Sequence, residues 1–273
     1  MFNRREFLAY GAIAASSVLT GASGDVPDCG GVPCVDYHVH VGNELSIDQA
    51  VEISLRRGIK FGLVQHAGIP GQGYAISDDD GLHAWVRSLE GKPVFKGIEA
   101  ESVNWVSAFS KSTIAQLDYV QADALGMPDR LGKPMQIWKP DFRPTNPQEF
   151  MVRYVDFQVQ RIVTEPIDIF VVPGFLPESL LPDYDRLWTP KRMRTVIEAA
   201  VKANVALEID CRFRVPHLRF LEMAKAAGAK FAFGSNYQTL TEIGDISYCV
   251  EMYKRIGLRR NQFFRPNGAG KRV

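Results

Sequence analysis

Seven short runs rich in β-branched and aromatic residues recur along this 273-residue chain, and segments with apolar residues at helical spacing lie between them. The runs are Cys34–Val41, Lys60–His66, Pro93–Glu101, Asp118–Leu125, Asp168–Pro173, Val205–Cys211 and Lys230–Asn236. Strands joined through helices cannot fold back as tight hairpins. They pair in parallel through crossovers, which are right-handed by strong default. The alternation predicts an α/β fold whose parallel sheet is closed or nearly closed. Ser46 caps a helix that stops at Gly58, and Leu82–Leu89 and residues 105–117 read as the next two helices. Pro147 opens a helix reaching Thr164 with Phe150, Met151, Val155 and Val159 inward, and Pro190–Ala203, Pro216–Gly228 and Asp245–Ile256 complete the set.

A barrel of this kind places its chemistry at the C-terminal ends of its strands. The ionisable residues of the chain collect there. In the first run, period two puts Asp36, His38 and His40 on one face and Val35, Tyr37, Val39 and Val41 on the other. His66 ends the second run, Glu99 and Glu101 the third, Asp123 the fourth, Glu208 and Asp210 the sixth and Asn236 the seventh. The fifth ends in Val172-Pro173 and offers no ionisable side chain. His83 and His217 fall in helical segments and read as surface or packing residues.

Asn3-Arg4-Arg5-Glu6-Phe7-Leu8 sets two adjacent arginines before a weakly apolar run, Ala9–Ala22, that ends in small residues. This resembles a twin-arginine export signal, with cleavage expected at residues 22–24. The resemblance implies the twin-arginine export machinery as a partner and a periplasmic or extracellular location. The run falls short of the about 20 apolar residues of a comfortable span, so no stable membrane span is expected after cleavage. The chain then divides into a signal, residues 1–24, and one domain, residues 25–273, whose length suits a single α/β barrel. Lys and Arg total 32 against 31 Asp and Glu, a net charge of +1, and Arg4, Arg5 and Glu6 account for that +1 within the signal. A neutral domain gives no argument for nucleic acid or an anionic membrane surface. Four cysteines are too few for a disulfide scaffold in a chain this long. Cys29 and Cys34 bracket Gly30-Gly31-Val32-Pro33 and could close a small loop in an oxidising compartment, whereas Cys211 and Cys249 read as buried small apolar residues.

Gly126–Asn146, with its Pro, Gly and charged residues, reads as a long loop or hairpin insertion and a candidate lid. Asp36-x-His38-x-His40, Gly97-Ile98-Glu99, Leu207-Glu208-Ile209-Asp210 and Gly234-Ser235-Asn236 together resemble the PHP (polymerase and histidinol phosphatase) superfamily of metal-dependent phosphoesterases, over most of residues 25–273. The resemblance implies a distorted (β/α)7 TIM-like barrel. It also implies that His38 and His40 bind a first metal, that Glu99 bridges to a second, and that His66 matches the histidine closing strand two. Asp123 lies beside the position where many members carry a histidine. The chain departs from the family at Val172-Pro173, where the family has His-Pro, and at Ser235-Asn236-Tyr237-Gln238, where it has Ser-Asp-Ala-His.

The family resemblance and the export signal together imply an exported hydrolase with one or two divalent ions, Mn, Fe or Zn without distinction, held by His38, His40, Glu99, Asp123 and Asn236. His66 and Asn236 rank as weaker ligands or as supports behind the ligands. Metal-activated water would attack a small-molecule substrate, a phosphoester first of all, with His66 or Glu101 carrying the proton and Arg212 and Arg214 gripping the phosphate. Two alternatives stay open. One is an amidohydrolase-like hydrolase or decarboxylase, whose first and last strands Asp36-x-His38-x-His40 and Phe233–Tyr237 also resemble. The other is a non-catalytic barrel that binds a metal or ligand, which Val172, Asn236 and Gln238 favour.

Overall fold

The computed structural model describes residues 26–42, 44–237 and 239–266, so the expected signal, residues 1–24, and Gln238 lie outside the described residues. One parallel sheet forms the centre. Its members are β1 (Val35–His40), β2 (Lys60–Val64) with its continuation β3 (His66–Ala67), β4 (Phe95–Ala100), β5 (Tyr119–Ala122), β6 (Ile169–Phe170), β7 (Ala206–Asp210) and β8 (Phe231–Gly234). They neighbour one another in the order β1-β2-β4-β5-β6-β7-β8, with β3 on β4. Read as one strand broken at Gln65, β2 and β3 leave the seven strands that the alternation predicts. The seam between β8 and β1 is closed by two bonds: Asn236 N–H donates to the His38 carbonyl at 3.0 Å, and Ser235 N–H to Asp36 Oδ1 at 2.9 Å. The result is a nearly closed, TIM-like α/β barrel with every strand's C-terminal end on one rim.

Eight helices surround it among the described residues: α1 (Ile47–Arg57), α2 (Asp79–Ser88), α3 (Lys111–Ile114), α4 (Pro147–Thr164), α5 (Tyr184–Leu187), α6 (Pro190–Ala203), α7 (Leu218–Ala226) and α8 (Ser247–Arg255). Local chemistry sets their ends. Ser46 and Gln49 form a capping box at the start of α1, and Gly58 ends it in a left-handed turn. Asn146 caps α4 and Pro147 opens it. The expected helix over 105–117 is instead a 3₁₀ turn, Trp105–Ala108, followed by the single turn of α3, because Phe109 is extended and Ser110 caps a new start. Among the described residues no helix is long and apolar enough to cross a membrane.

One register detail corrects the reading of the first strand. Asp36 pairs with Phe61 and Val39 with Leu63, so three steps along β1 match two along β2. The extra residue is a bulge, and it reverses the alternation beyond it. Asp36 therefore shares the outward face of Val39, Phe61 and Leu63, while His40 pairs with Val64 on the other side. Asp36 does not join the histidines. Its Oδ1 instead accepts the N–H groups of His38 and Ser235, at 3.0 and 2.9 Å, and so pins the bulge to the end of β8.

Below the rim the barrel is filled with aromatic rings. Tyr37 packs on Phe95, Tyr119 and Phe264. Gly62 and Gly97 make room for Tyr119, because a Cβ at either position would lie 2.4 Å from its phenol group. The insertion at 126–146 begins as a hairpin on the rim beyond β5. Ile137 N–H donates to Leu125 and Met135 N–H to Met127, Met127 and Ile137 are buried, and Leu131 at the tip is exposed.

Candidate metal centre

The pairing register carries the ionisable residues inward. His66 opposes Glu99 across β3 and β4, Glu99 opposes Gln121 across β5, and Asp210 opposes Gly234 across β8. Glu99 is the point where they converge. Its Oε1 lies 3.4 Å from His38 Nε2, and its Oε2 lies 3.1 Å from His40 Nε2 and 3.6 Å from His66 Nδ1. The two Nε2 atoms of His38 and His40 face each other at 3.1 Å, and the His40 ring stacks on His66 at 4.5 Å. His66 also makes a short hydrogen bond to Glu101. With 43% of its side chain exposed, against 1% for His38, His66 marks the open side of the cluster.

A second layer holds these groups in place. His38 Nδ1 is 2.7 Å from Glu208 Oε1, and the other oxygen of Glu208 accepts the Val172 N–H at 2.8 Å. The fifth run thus contributes a backbone donor where it has no ionisable side chain. Val172 does so from a left-handed conformation, φ 54°, that β-branched residues rarely adopt.

Burial and charge then pull the histidines apart. Burial alone would depress His38, yet the charges of Glu208 and Glu99 raise it well above its ordinary value. Burial takes His40 down to about 4 against the pull of Glu99. For His66, burial is outweighed by the Glu101 hydrogen bond and the Glu99 charge, which raise it to about 9. Glu99 is buried, but His38 and His40 hold its carboxyl well below the usual range. Two imidazoles thus share one buried carboxylate.

The same three groups could hold a divalent ion. Donor atoms about 2.0–2.1 Å from one ion, at angles of about 90–109°, stand about 2.9–3.4 Å from each other. His38 Nε2 and His40 Nε2 stand 3.1 Å apart, and Glu99 turns a different oxygen to each of them, Oε1 at 3.4 Å from His38 and Oε2 at 3.1 Å from His40. With Nδ1 committed to Glu208, Nε2 of His38 is the nitrogen left for a cation, as in carboxylate–histidine–metal triads. Ligand-like spacing recurs in the trio His66, Glu99 and Glu101, which shares Glu99, and in His38, Glu208 and Asp210. Gln121 supports a polar occupant as well, since its side chain is fully buried and neither of its amide atoms has a hydrogen-bond partner.

The other expected residues are placed less centrally. Among the described residues no trio spaced for one ion includes Asp123. Its Oδ1 accepts the Leu125 N–H at 3.1 Å, and burial with the Glu101 and Glu99 charges holds its carboxyl well above the usual range. Asp123 therefore stands beside the ligand trios. Asn236 donates from Nδ2 to Asp210 Oδ2 at 2.9 Å, so its amide is turned toward β7. Arg212 lies on the rim, 3.4 Å from the Asn236 carbonyl, whereas Arg214 is spent on Glu251 at 3.6 Å and on the Tyr248 ring of α8. His83 bonds Gln116 and His217 stacks on Tyr184, as packing residues do.

Sequence patterning does not single out Arg161. Buried in α4, it binds both oxygens of Glu165 and donates to the carbonyls of Ala100, Glu101 and Asp123, tying together the ends of β4 and β5 that carry the site. Its only sequence signal is an arginine on the apolar face of an amphipathic helix.

No family model matches the chain, and no curated protein does. Among solved structures, 81% of the chain aligns with 89% of a chain in the cryo-EM structure of archaeal Ribonuclease P with mature tRNA, at 11% identity and a TM-score of 0.39. A β-mannanase from Streptomyces thermolilacinus aligns over 88% of this chain and 82% of its own, at 13% identity and a TM-score of 0.39. Neither likeness assigns a function.

Proposed function

We propose that the chain is an exported metal-dependent hydrolase of the PHP type that acts on a small-molecule phosphoester. Glu99 carries the reading. One buried carboxylate stands 3.1–3.6 Å from the nitrogens of three histidines, an arrangement suited to one ion and to a second beside it. The donor set of imidazole and carboxylate suits Mn, Fe or Zn.

A divalent cation bound there supplies a Lewis acid that acidifies water toward neutral pH and polarises the bond to be cut. The protein's own groups do the rest. Glu208 fixes the ring of His38 and the nitrogen it presents. His66 and Glu101, hydrogen-bonded on the open side, form a pair through which a proton can pass to or from the reacting oxygens. Arg212 on the rim is placed to pair with a phosphate, and the hairpin at 126–146 rises beside the same opening. Export through the twin-arginine route rests on residues 3–8, and the Cys29–Cys34 disulfide accords with an oxidising compartment.

Elemental analysis of the purified protein, followed by a screen of phosphoesters, amides and lactones, tests the proposal. The wild type should hold one or two equivalents of metal and release phosphate, while His38→Ala and Glu99→Ala should lose both. Full metal content in both variants removes the centre. Turnover of amides or lactones alone removes the substrate class.

A further inference from the structure

Cys211 lies immediately beyond β7, and Cys249 lies in the first turn of α8. Both are buried, and 38 residues separate them. Their sulfurs are nevertheless 2.9 Å apart, closer than two unbonded sulfurs ordinarily pack and within about 1 Å of a disulfide bond length. The surrounding backbone holds this approach. Cys249 N–H points at Cys211 Sγ at 3.4 Å, and Cys249 Sγ lies 2.9 Å from the Ile209 carbonyl. The chain already carries one disulfide, Cys29–Cys34, and such bonds persist where the surroundings are oxidising. Both are free thiols in this structure, and their approach leaves little movement between them and a bond if the chain is exported as proposed above.

We propose that Cys211 and Cys249 form a second disulfide that staples α8 to the C-terminal end of β7. In the oxidation the two thiols give up two protons and two electrons to an external disulfide. One S–S bond forms between Cys211 and Cys249 while the oxidant's own S–S bond breaks and leaves as two thiols. The staple acts next to the metal centre. It is one residue from Asp210, whose carboxylate takes the Asn236 amide at 2.9 Å and the Phe213 N–H at 2.6 Å. It also sits on the carbonyl of Gly234, 3.8 Å from Cys249 Sγ, on the strand that closes the barrel against β1. The bond would therefore fix the β7–β8 side of the rim.

The test uses the full chain recovered without reductant from the compartment to which it is exported. It is unfolded in guanidinium, alkylated and mapped by mass spectrometry before and after reduction. The expected result is no alkylated cysteine before reduction, and a linked peptide pair containing Cys211 and Cys249 that disappears after it. Alkylation of both Cys211 and Cys249 in the unreduced protein overturns the proposal. This readout does not depend on any variant folding. A Cys29→Ser/Cys34→Ser variant isolates the second pair: full reduction should lower its Tm by about 4–16 °C, and an unchanged Tm counts against the staple.

Discussion

His38 and Glu208 meet through a 2.7 Å Nδ1–Oε1 hydrogen bond that occupies the space where residue 234 would carry a side chain. A Cβ on Gly234 would fall 1.8 Å from Glu208 Oε1 and 2.8 Å from His38 Cβ. The bond that orients His38 thus depends on a glycine of the intervening strand. Gly234→Ala should displace Glu208 and weaken Mn²⁺ binding by about 10- to 100-fold, and Glu208→Gln should act in the same direction. Titration calorimetry on the metal-free protein measures both. Wild-type affinity in the two variants would show that Glu208 does not support the centre.

Asp123 and His40 offer a discriminating pair. His40 belongs to a trio spaced for one ion, with His38 and Glu99, while Asp123 lies near the cluster without belonging to one. Purified His40→Ala should therefore carry less than about a tenth of the wild-type metal, since it loses one of three protein ligands. Asp123→Asn should keep at least half. The reverse order by elemental analysis would move the ion toward β5.

Nearly the whole barrel was legible from strand–helix alternation, because a parallel sheet needs its crossovers and the crossovers leave helical periodicity in the chain. That His38, His40, His66, Glu99 and Glu101 gather was legible for a related reason: each ends a strand, and parallel strands end on one rim. Asp123 and Asn236, expected as ligands on the same ground, stand outside the trios spaced for one ion, because Asp123 turns to the Leu125 N–H and Asn236 to Asp210. Three features were not legible. The bulge that turns Asp36 outward depends on how β1 meets β2, and an unbroken alternation in the sequence carries no trace of it. The support that Glu208 gives to His38 spans 170 residues, so no local pattern encodes it. Cys211 and Cys249 read correctly as buried, but burial says nothing of their being neighbours.

Arg161 gives a stability prediction. Its guanidinium is almost fully buried and pairs with Glu165, which Trp105 Nε1 also contacts at 3.0 Å. Arg161→Met would leave Glu165 as an uncompensated buried carboxylate and three strand-end carbonyls without their donor. The expected loss is about 3–5 kcal/mol in urea unfolding. Replacing both partners, as Arg161→Met with Glu165→Leu, should recover a large part of it, because the unpaired charge is gone. A single variant within about 0.5 kcal/mol of wild type would mean that the pair is not what holds the ends of β4 and β5 together.

Two histidines shifted in opposite directions give the metal-free chain opposing pH limits, and His38, raised like His66, adds to the alkaline one. His66 is raised to about 9, with the Glu101 hydrogen bond and the Glu99 charge overcoming burial, so its contribution is complete below its ordinary value near 6.5 and fades as the pH climbs through about 9. His40 is lowered to about 4 by burial, so its contribution is complete above about 6.5 and fades as the pH falls toward 4. Stability of the chelator-treated protein, read as the urea midpoint from pH 5 to 10, should therefore fall on both sides of about pH 6.5. His66→Gln should make the alkaline fall shallower without abolishing it, because it removes one of two raised histidines that must lose a proton there, and His38 remains. A midpoint in the wild type that stays level from pH 7 to 10 would place His66 outside the charge network of Glu99 and Glu101.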